Sequence, residues 1–178
     1  LGVGVRINEK DLLSLYTTAM HEGGHALYRQ SLTAHGNTGL KAQIAGAGID
    51  EAMALLMERH VARDHDFTRS VFSELAPAYG INATPDELAS YFDVIDRSGL
   101  RTQADEIRYP LDVILRYQVE KALFDEGLKV EDLPAFWSER FKLLTGMDVP
   151  DDRHGPLQDI HMYGGAFGWS PNYLYGQL

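Results

Sequence analysis

Residues 17–28 read Thr-Thr-Ala-Met-His-Glu-Gly-Gly-His-Ala-Leu-Tyr and contain the pattern His-Glu-x-x-His. His21 and His25 are four positions apart, and side chains with this spacing lie one above the other on a helix face. Two imidazoles placed in this way can share one metal ion at about 2.0–2.1 Å. Glu22 follows the first histidine, where its carboxylate can take a proton from a water that the ion has acidified. The pattern therefore predicts a hydrolytic metal site with Glu22 as general base.

The sequence around this motif predicts a helix over residues 8–29. Asn8 can cap its first turn, and apolar residues recur with the spacing of one helix face, namely Leu12, Leu15, Tyr16 and Ala19. Gly23 and Gly24 lie inside this helix, where a glycine costs roughly 1 kcal/mol relative to alanine. We therefore expect another backbone, or a substrate, to come close to the helix at these glycines.

A third metal ligand is expected from the next helix. Glu51 opens that helix, 26 residues after His25, and a helix–loop–helix return would bring its carboxylate to the same ion. The chain has no cysteine, which excludes a thiolate site. Two histidines and one glutamate with an open fourth position form the ligand set of thermolysin-type catalytic zinc. We therefore predict zinc, held by His21, His25 and Glu51, with cobalt as an alternative because imidazole and carboxylate accept both.

The remaining pattern predicts a mainly α fold. Thr84 begins a helix with a capping box and a proline in the first turn, and Pro110 is expected either to kink its helix or to mark the true start. Residues 31–48 are predicted to be loop, with at most a small β element, and the chain after residue 150 is predicted to be loop. Further helices are predicted over residues 49–65, 84–96, 104–126 and 133–145.

Composition limits the kinds of partner. The 178 residues suit one domain, and we expect residues 1–178 to form a single catalytic-segment domain. The net charge of −10 disfavours nucleic acid and an anionic membrane surface. No apolar run is long enough to span a bilayer and the first residues are not a signal peptide, so we expect a cytoplasmic protein.

Four motifs in order resemble the M32 family of metallocarboxypeptidases, the carboxypeptidase Taq type. Residues 17–28 are similar to the zinc-binding helix of the family, and Ile49-Asp50-Glu51 falls where the family has His-Glu-Ser or His-Glu-Gln. Leu-Arg-Thr-Gln-Ala-Asp at 100–105 is similar to the (Ile/Val)-Arg-x-x-Ala-Asp motif, and Gly-Pro-Leu-Gln-Asp-Ile-His at 155–161 matches Gly-x-x-Gln-Asp-x-His. The departures are Asp50 in place of the family's histidine and Met162 in place of its tryptophan.

The resemblance implies removal of C-terminal residues from peptide substrates, a mainly α zinc-peptidase fold and a homodimer. It also implies that Glu51 is the third ligand. Family members are longer, so we expect this chain to be a fragment or a shortened version of the family fold. Arg101 lies in a family motif and is the candidate for binding the substrate's carboxylate, because a guanidinium binds carboxylates in a bidentate manner. Arg6 is a weaker candidate, and for both the alternative is a structural ion pair.

His161 and Tyr173 are the candidates for a second electrophilic group. They lie 12 residues apart in a stretch rich in glycine and aromatic residues, and related zinc oligopeptidases place a histidine and a tyrosine similarly after a Gly-Gly turn. The alternatives are a partly buried structural histidine and a core aromatic ring.

Three other functions stay open at this point. The chain could be a non-catalytic homologue that zinc only stabilises, or an endo-acting oligopeptidase that uses the same chemistry. It could also be a helical interaction module in which the His-Glu-x-x-His pattern is accidental.

Overall fold

The computed structural model describes residues 2–5, 11–34, 39, 43, 45–93, 99–101 and 104–177. These residues contain helices and turns but no strand, which confirms the mainly α class, and the β element allowed for in residues 31–48 is absent from the described part of that stretch. The α-helices of the described residues are α1 Leu12–Thr33, α2 Ala47–Leu55, α3 His65–Tyr79, α4 Pro85–Ser90, α5 Arg108–Phe124, α6 Leu133–Thr145, α7 Ile160–Tyr163 and α8 Pro171–Gln177.

The chain divides into two compact units. Unit 1 comprises Leu1–Val94 and Tyr175–Leu178, and unit 2 comprises Ile95–Leu174. Each unit has its own hydrophobic core. The expectation of one catalytic-segment domain over residues 1–178 stays a prediction. No helix among the described residues combines the length and apolar character that crossing a bilayer requires.

In unit 1, α1 begins at Leu12. Its cap is Asp11, whose side chain accepts the N–H of Ser14 at 2.9 Å, and not the predicted Asn8, which lies outside the described residues. Tyr16 joins α1 to the core, because its hydroxyl donates to the carbonyl of Ala62 at 3.1 Å and its ring meets Phe72 edge-on.

The predicted helix over residues 49–65 occurs in a modified form. It begins as α2 and widens into a π-helical segment over Leu56–Val61. π-helical segments are rare in proteins, and those that do occur often lie at functional sites. α3, which Asp64 caps and Gly80 ends in the left-handed conformation, has no counterpart among the predicted helices.

The predicted start of α4 is confirmed. The hydroxyl of Thr84 accepts the N–H of Glu87 at 3.2 Å, and the Glu87 carboxylate accepts the N–H of Thr84 at 2.8 Å. α4 ends at Ser90 and one 3₁₀ turn follows to Asp93. The predicted end at residue 96 lies outside the described residues.

In unit 2, α5 begins at Arg108, so Pro110 lies in its first turn and marks the true start of the predicted helix over residues 104–126. α6 ends at Gly146, which adopts a left-handed conformation (φ 73°), as predicted. The core of this unit has Trp137 and Phe141 at its centre. The prediction of loop after residue 150 is wrong in part, because α7 and α8 lie there.

Candidate metal centre

The approach of α2 to α1 is set by Gly24. A Cβ atom on Gly24 would lie 2.5 Å from the carbonyl oxygen of Met53 and 2.6 Å from the Cα of Ala54, so only glycine fits. The predicted approach of a second backbone is therefore confirmed at Gly24. It is wrong for Gly23, whose Cβ position has no atom within 4 Å, and there the explanation by a substrate stays a prediction.

This approach brings His21, His25 and Glu51 together. Their ligand atoms lie within 4.8 Å of one another. The Glu51 Oε2 atom is 3.7 Å from His21 Nε2 and 3.9 Å from His25 Nε2. The two rings stand edge to face, with centroids 4.9 Å apart. The same nitrogen of each ring thus faces the same carboxylate oxygen.

The Oε2 atom of Glu51 is the strongest sign that this cluster fits a cation. It is buried and has no hydrogen-bond partner among the described residues. A buried carboxylate oxygen without a partner is costly, and buried charges in proteins are paired or bind metals. Two imidazole nitrogens and one carboxylate oxygen are also the donors that catalytic zinc uses. The residues present therefore fit the predicted ion.

Each imidazole has a carboxylate behind it. Nδ1 of His21 is hydrogen-bonded to Glu58 Oε2 at 2.8 Å, and Nδ1 of His25 lies 3.1 Å from Asp50 Oδ1. A carboxylate in this position fixes the proton on Nδ1 and leaves the lone pair of Nε2 free for an ion. Both rings are therefore oriented for binding through Nε2.

Glu58 was not identified from the sequence, although a signal exists. It lies seven positions after Glu51, roughly two helical turns, and so on the same side of the continuous helix. Glu58 belongs to the π-helical segment, and its other oxygen lies 3.0 Å from Nε of the buried Arg59. Asp50 was noted only as a departure from the family motif, and the structure gives it a contact with His25.

The buried charges in this cluster shift the pKa values of their neighbours. Burial acts to lower the pKa of His21, but the hydrogen bond from Glu58 and the charges of Glu58, Glu51 and Glu22 outweigh it, so the pKa is raised. Burial raises the pKa of Glu51, against the opposing effect of the two imidazoles. For Glu58, burial is outweighed by the hydrogen bond to His21 and the charge of Arg59, and the pKa is lowered. The negative charge of Glu22 makes a small contribution to raising the pKa of both His21 and Glu51.

We predict that Glu58→Gln weakens zinc binding by about 10- to 100-fold, the usual cost of losing the carboxylate behind a metal-bound histidine. The amide is a weaker acceptor for the Nδ1 proton and removes the ion pair between residue 58 and Arg59. Competition with a chelator measures the affinity. Glu74→Gln, on the exposed face of α3, is the matched control, and equal affinities for the two variants would contradict the role given to Glu58.

The predicted residues of unit 2 also form a cluster. The hydroxyl of Tyr173 lies 3.2 Å from Nε2 of His161, within hydrogen-bond distance. The guanidinium of Arg101 lies over the Tyr173 ring, 5.3 Å from its centroid. Within the described residues Arg101 has no ion pair with Asp105 or Glu106, the two nearby carboxylates that are candidates for a structural ion pair.

Two residues of the Gly-x-x-Gln-Asp-x-His motif hold this cluster in place. The side chain of Gln158 accepts the N–H of Arg101 at 3.0 Å and donates to the carbonyl of His154 at 2.7 Å. Asp159 caps α7 by accepting the N–H groups of His161 and Met162, and its carboxylate is paired with the buried Arg116 at 2.9 Å. The two family motifs of unit 2 are thus joined by direct contacts.

Burial and the nearby charge of Arg101 lower the pKa of His161. The imidazole is therefore neutral at pH 7 and can accept a hydrogen bond from Tyr173 or donate one elsewhere. Arg6, the weaker candidate for carboxylate binding, lies outside the described residues.

Comparison with known proteins places this fold and these motifs in one family. The family model described as Carboxypeptidase Taq (M32) metallopeptidase matches residues 2–178. Carboxypeptidase 1 of Bacillus subtilis is 34% identical over 99% of this chain, and thermostable carboxypeptidase 1 of Pyrococcus furiosus is 29% identical over 99%. The crystal structure of the M32 carboxypeptidase from Deinococcus radiodurans superposes on 97% of this chain with a TM-score of 0.84 and 32% identity.

The chain belongs to the M32 family of carboxypeptidase Taq metallopeptidases. It spans 36% of the length of the Bacillus and Pyrococcus proteins and 35% of the Deinococcus chain. The chain contains the His-Glu-x-x-His helix, Glu51 and the two motifs of unit 2.

Proposed function

We propose that this chain provides the catalytic centre of a zinc-dependent metallocarboxypeptidase, which removes C-terminal residues from peptides. The observation that supports this most directly is the buried, unpartnered Oε2 of Glu51, facing Nε2 of both His21 and His25. Cobalt, which has the same ligand preferences, is the alternative ion. We further propose that the protein is cytoplasmic and forms a homodimer. We also propose that it binds neither nucleic acid nor a membrane.

When bound, zinc supplies Lewis acidity, which polarises the scissile carbonyl and acidifies water. The carboxylate of Glu22 accepts a proton from the attacking water and later delivers it to the leaving amine. Its position supports this role, because its charge acts on both His21 and Glu51.

The roles of the other residues rest on the family resemblance. His161 and Tyr173 stabilise the oxygen that becomes negative when the peptide bond is attacked. Arg101 binds the terminal carboxylate of the substrate, and Arg6 assists it. The contacts among Arg101, His161 and Tyr173 within unit 2 support a common function for these three side chains.

The test is the metal-dependent release of amino acids from peptides. We expect the zinc-loaded protein to release the C-terminal residue from an N-blocked peptide, to lose this activity with a chelator, and to regain it with zinc. The same peptide with an amidated C-terminus is the control, because a carboxypeptidase requires the free carboxylate.

Other outcomes separate the alternatives. Cleavage of the amidated peptide would favour an endo-acting oligopeptidase. Zinc binding without any hydrolysis would favour a non-catalytic, zinc-stabilised homologue. A protein that binds no zinc would contradict the proposed metal centre itself.

A further inference from the structure

The carboxylates behind the two imidazoles are themselves held by arginines. Glu58, behind His21, is paired with Arg59 at 3.0 Å. Asp50, behind His25, is paired with Arg29, whose Nη2 donates to Oδ2 at 2.6 Å. The cluster therefore contains two series of contacting side chains. Each series runs from an arginine through a carboxylate to one of the two histidines.

The two series differ in the geometry of their contacts and in the burial of their arginines. The Glu58–His21 contact is a well-aligned hydrogen bond of 2.8 Å, and the side chain of Arg59 is only 6% exposed. The Asp50–His25 contact is longer, at 3.1 Å, and its oblique approach does not meet hydrogen-bond geometry. Its arginine, Arg29, is 50% exposed. The orientation of His25 thus depends on the carboxylate of Asp50, which is held mainly by the half-exposed Arg29.

Asp50 needs this external support because it is buried. Its side chain is 8% exposed, so solvent does little to stabilise its charge. By occupying Oδ2, Arg29 also fixes the rotation of the carboxyl group and directs Oδ1 towards Nδ1 of His25.

We propose that Arg29 is a positioning residue of the metal centre, which acts through Asp50 to hold the His25 ring with its proton on Nδ1. This inference rests on the proposed metal site. Asp50 stands where the family motif has a histidine, so the arrangement belongs to this chain's own sequence. The influence of Arg29 on the ion would pass through the carboxylate of Asp50, with which it is paired.

The test compares Arg29→Gln with Arg69→Gln. Arg69 is the matched control because it lies in the same unit, is 45% exposed, and pairs with the carboxylates of Asp66 and Asp86. We expect Arg29→Gln to weaken zinc binding by about tenfold, near the lower end of the range for groups behind a metal ligand, and to shift the visible spectrum of the cobalt-loaded protein. Arg69→Gln should leave both unchanged. Arg29→Lys should recover only part of the zinc affinity, since lysine lacks the planar guanidinium group that pairs with a carboxylate.

A double-variant comparison tests whether Arg29 acts through Asp50. Asp50→Asn should weaken zinc binding by about 10- to 100-fold, and adding Arg29→Gln to it should cause no further loss. In the metal-free protein, ¹⁵N NMR of the imidazoles should show His25 protonated at Nδ1, and a mixture of tautomers in Arg29→Gln.

The outcomes are separable from those for the proposed function. If Arg29→Gln keeps wild-type affinity and an unchanged His25 tautomer, or if the two substitutions weaken binding independently, the role of Arg29 is overturned while the zinc site stands. If the wild-type protein binds no zinc, the proposed function fails, and the tautomer of His25 in the metal-free protein still decides whether Arg29 positions this ring.

Discussion

Glu22→Gln is expected to leave zinc bound and to lower kcat by about 10²- to 10⁴-fold, the range that general acid–base groups supply. The glutamine has almost the same shape as the glutamate but cannot accept a proton at neutral pH. Because His21, His25 and Glu51 are untouched, the zinc content should stay at one ion per chain. Steady-state kinetics on a blocked peptide, with metal analysis of the same samples, measures both quantities.

Glu74→Gln again serves as the control, since its side chain is exposed on α3. If Glu22→Gln retains full activity with a full complement of zinc, Glu22 is not the general base. A loss of zinc together with activity would instead show that Glu22 supports the metal, and would also contradict the role proposed for it.

A large loss of stability and of zinc affinity is expected for a substitution at Gly24. Gly24→Ala would place a methyl group 2.5 Å from the Met53 oxygen and 2.6 Å from the Ala54 Cα, and these are backbone atoms that cannot turn aside. α1 and α2 must then separate, which we expect to lower the free energy of unfolding by about 3 kcal/mol, at the upper end for overpacking. Because Glu51 lies on α2, zinc affinity should fall as well. Denaturant titration and chelator competition measure the two losses.

Gly23→Ala is the matched control, one position away on the same helix. Its Cβ would meet no atom within 4 Å, so the gain in helix propensity should stabilise the protein by about 0.5–1 kcal/mol. Equal destabilisation by the two substitutions would contradict this account of the helix contact. If Gly23→Ala is stable but raises KM, the substrate binds in the open space beside Gly23.

The sequence predicted that His21, His25 and Glu51 come together because the relevant spacings are short and regular. Four positions on a helix bring His21 and His25 to one face, and a single loop returns Glu51 to them. The spacing could not show which of the adjacent glycines faces α2, since this depends on the rotation of α1 about its axis. It is Gly24 that meets Met53.

Other features were not predictable for physical reasons. The π-helical segment over Leu56–Val61 has no glycine or proline to mark it. The pairing of Arg29 with Asp50 joins residues 21 positions apart across two helices, and side-chain periodicity carries no information about such pairs. α3 contains Pro77, whose ring and missing N–H argue against a helix at the level of sequence, yet the helix continues through it to Tyr79.

The backbone contacts of α2 have a consequence for how the protein takes up its ion. Besides Gly24, Gly176 presses on this helix, where an added Cβ would lie 2.9 Å from the amide nitrogen of Ala52 and 3.1 Å from the carbonyl carbon of Glu51. The peptide group between Glu51 and Ala52 is thus held against the main chain of Gly176. If Glu51 is the third ligand, folding itself orders its backbone, and we expect zinc to leave and return without the chain unfolding.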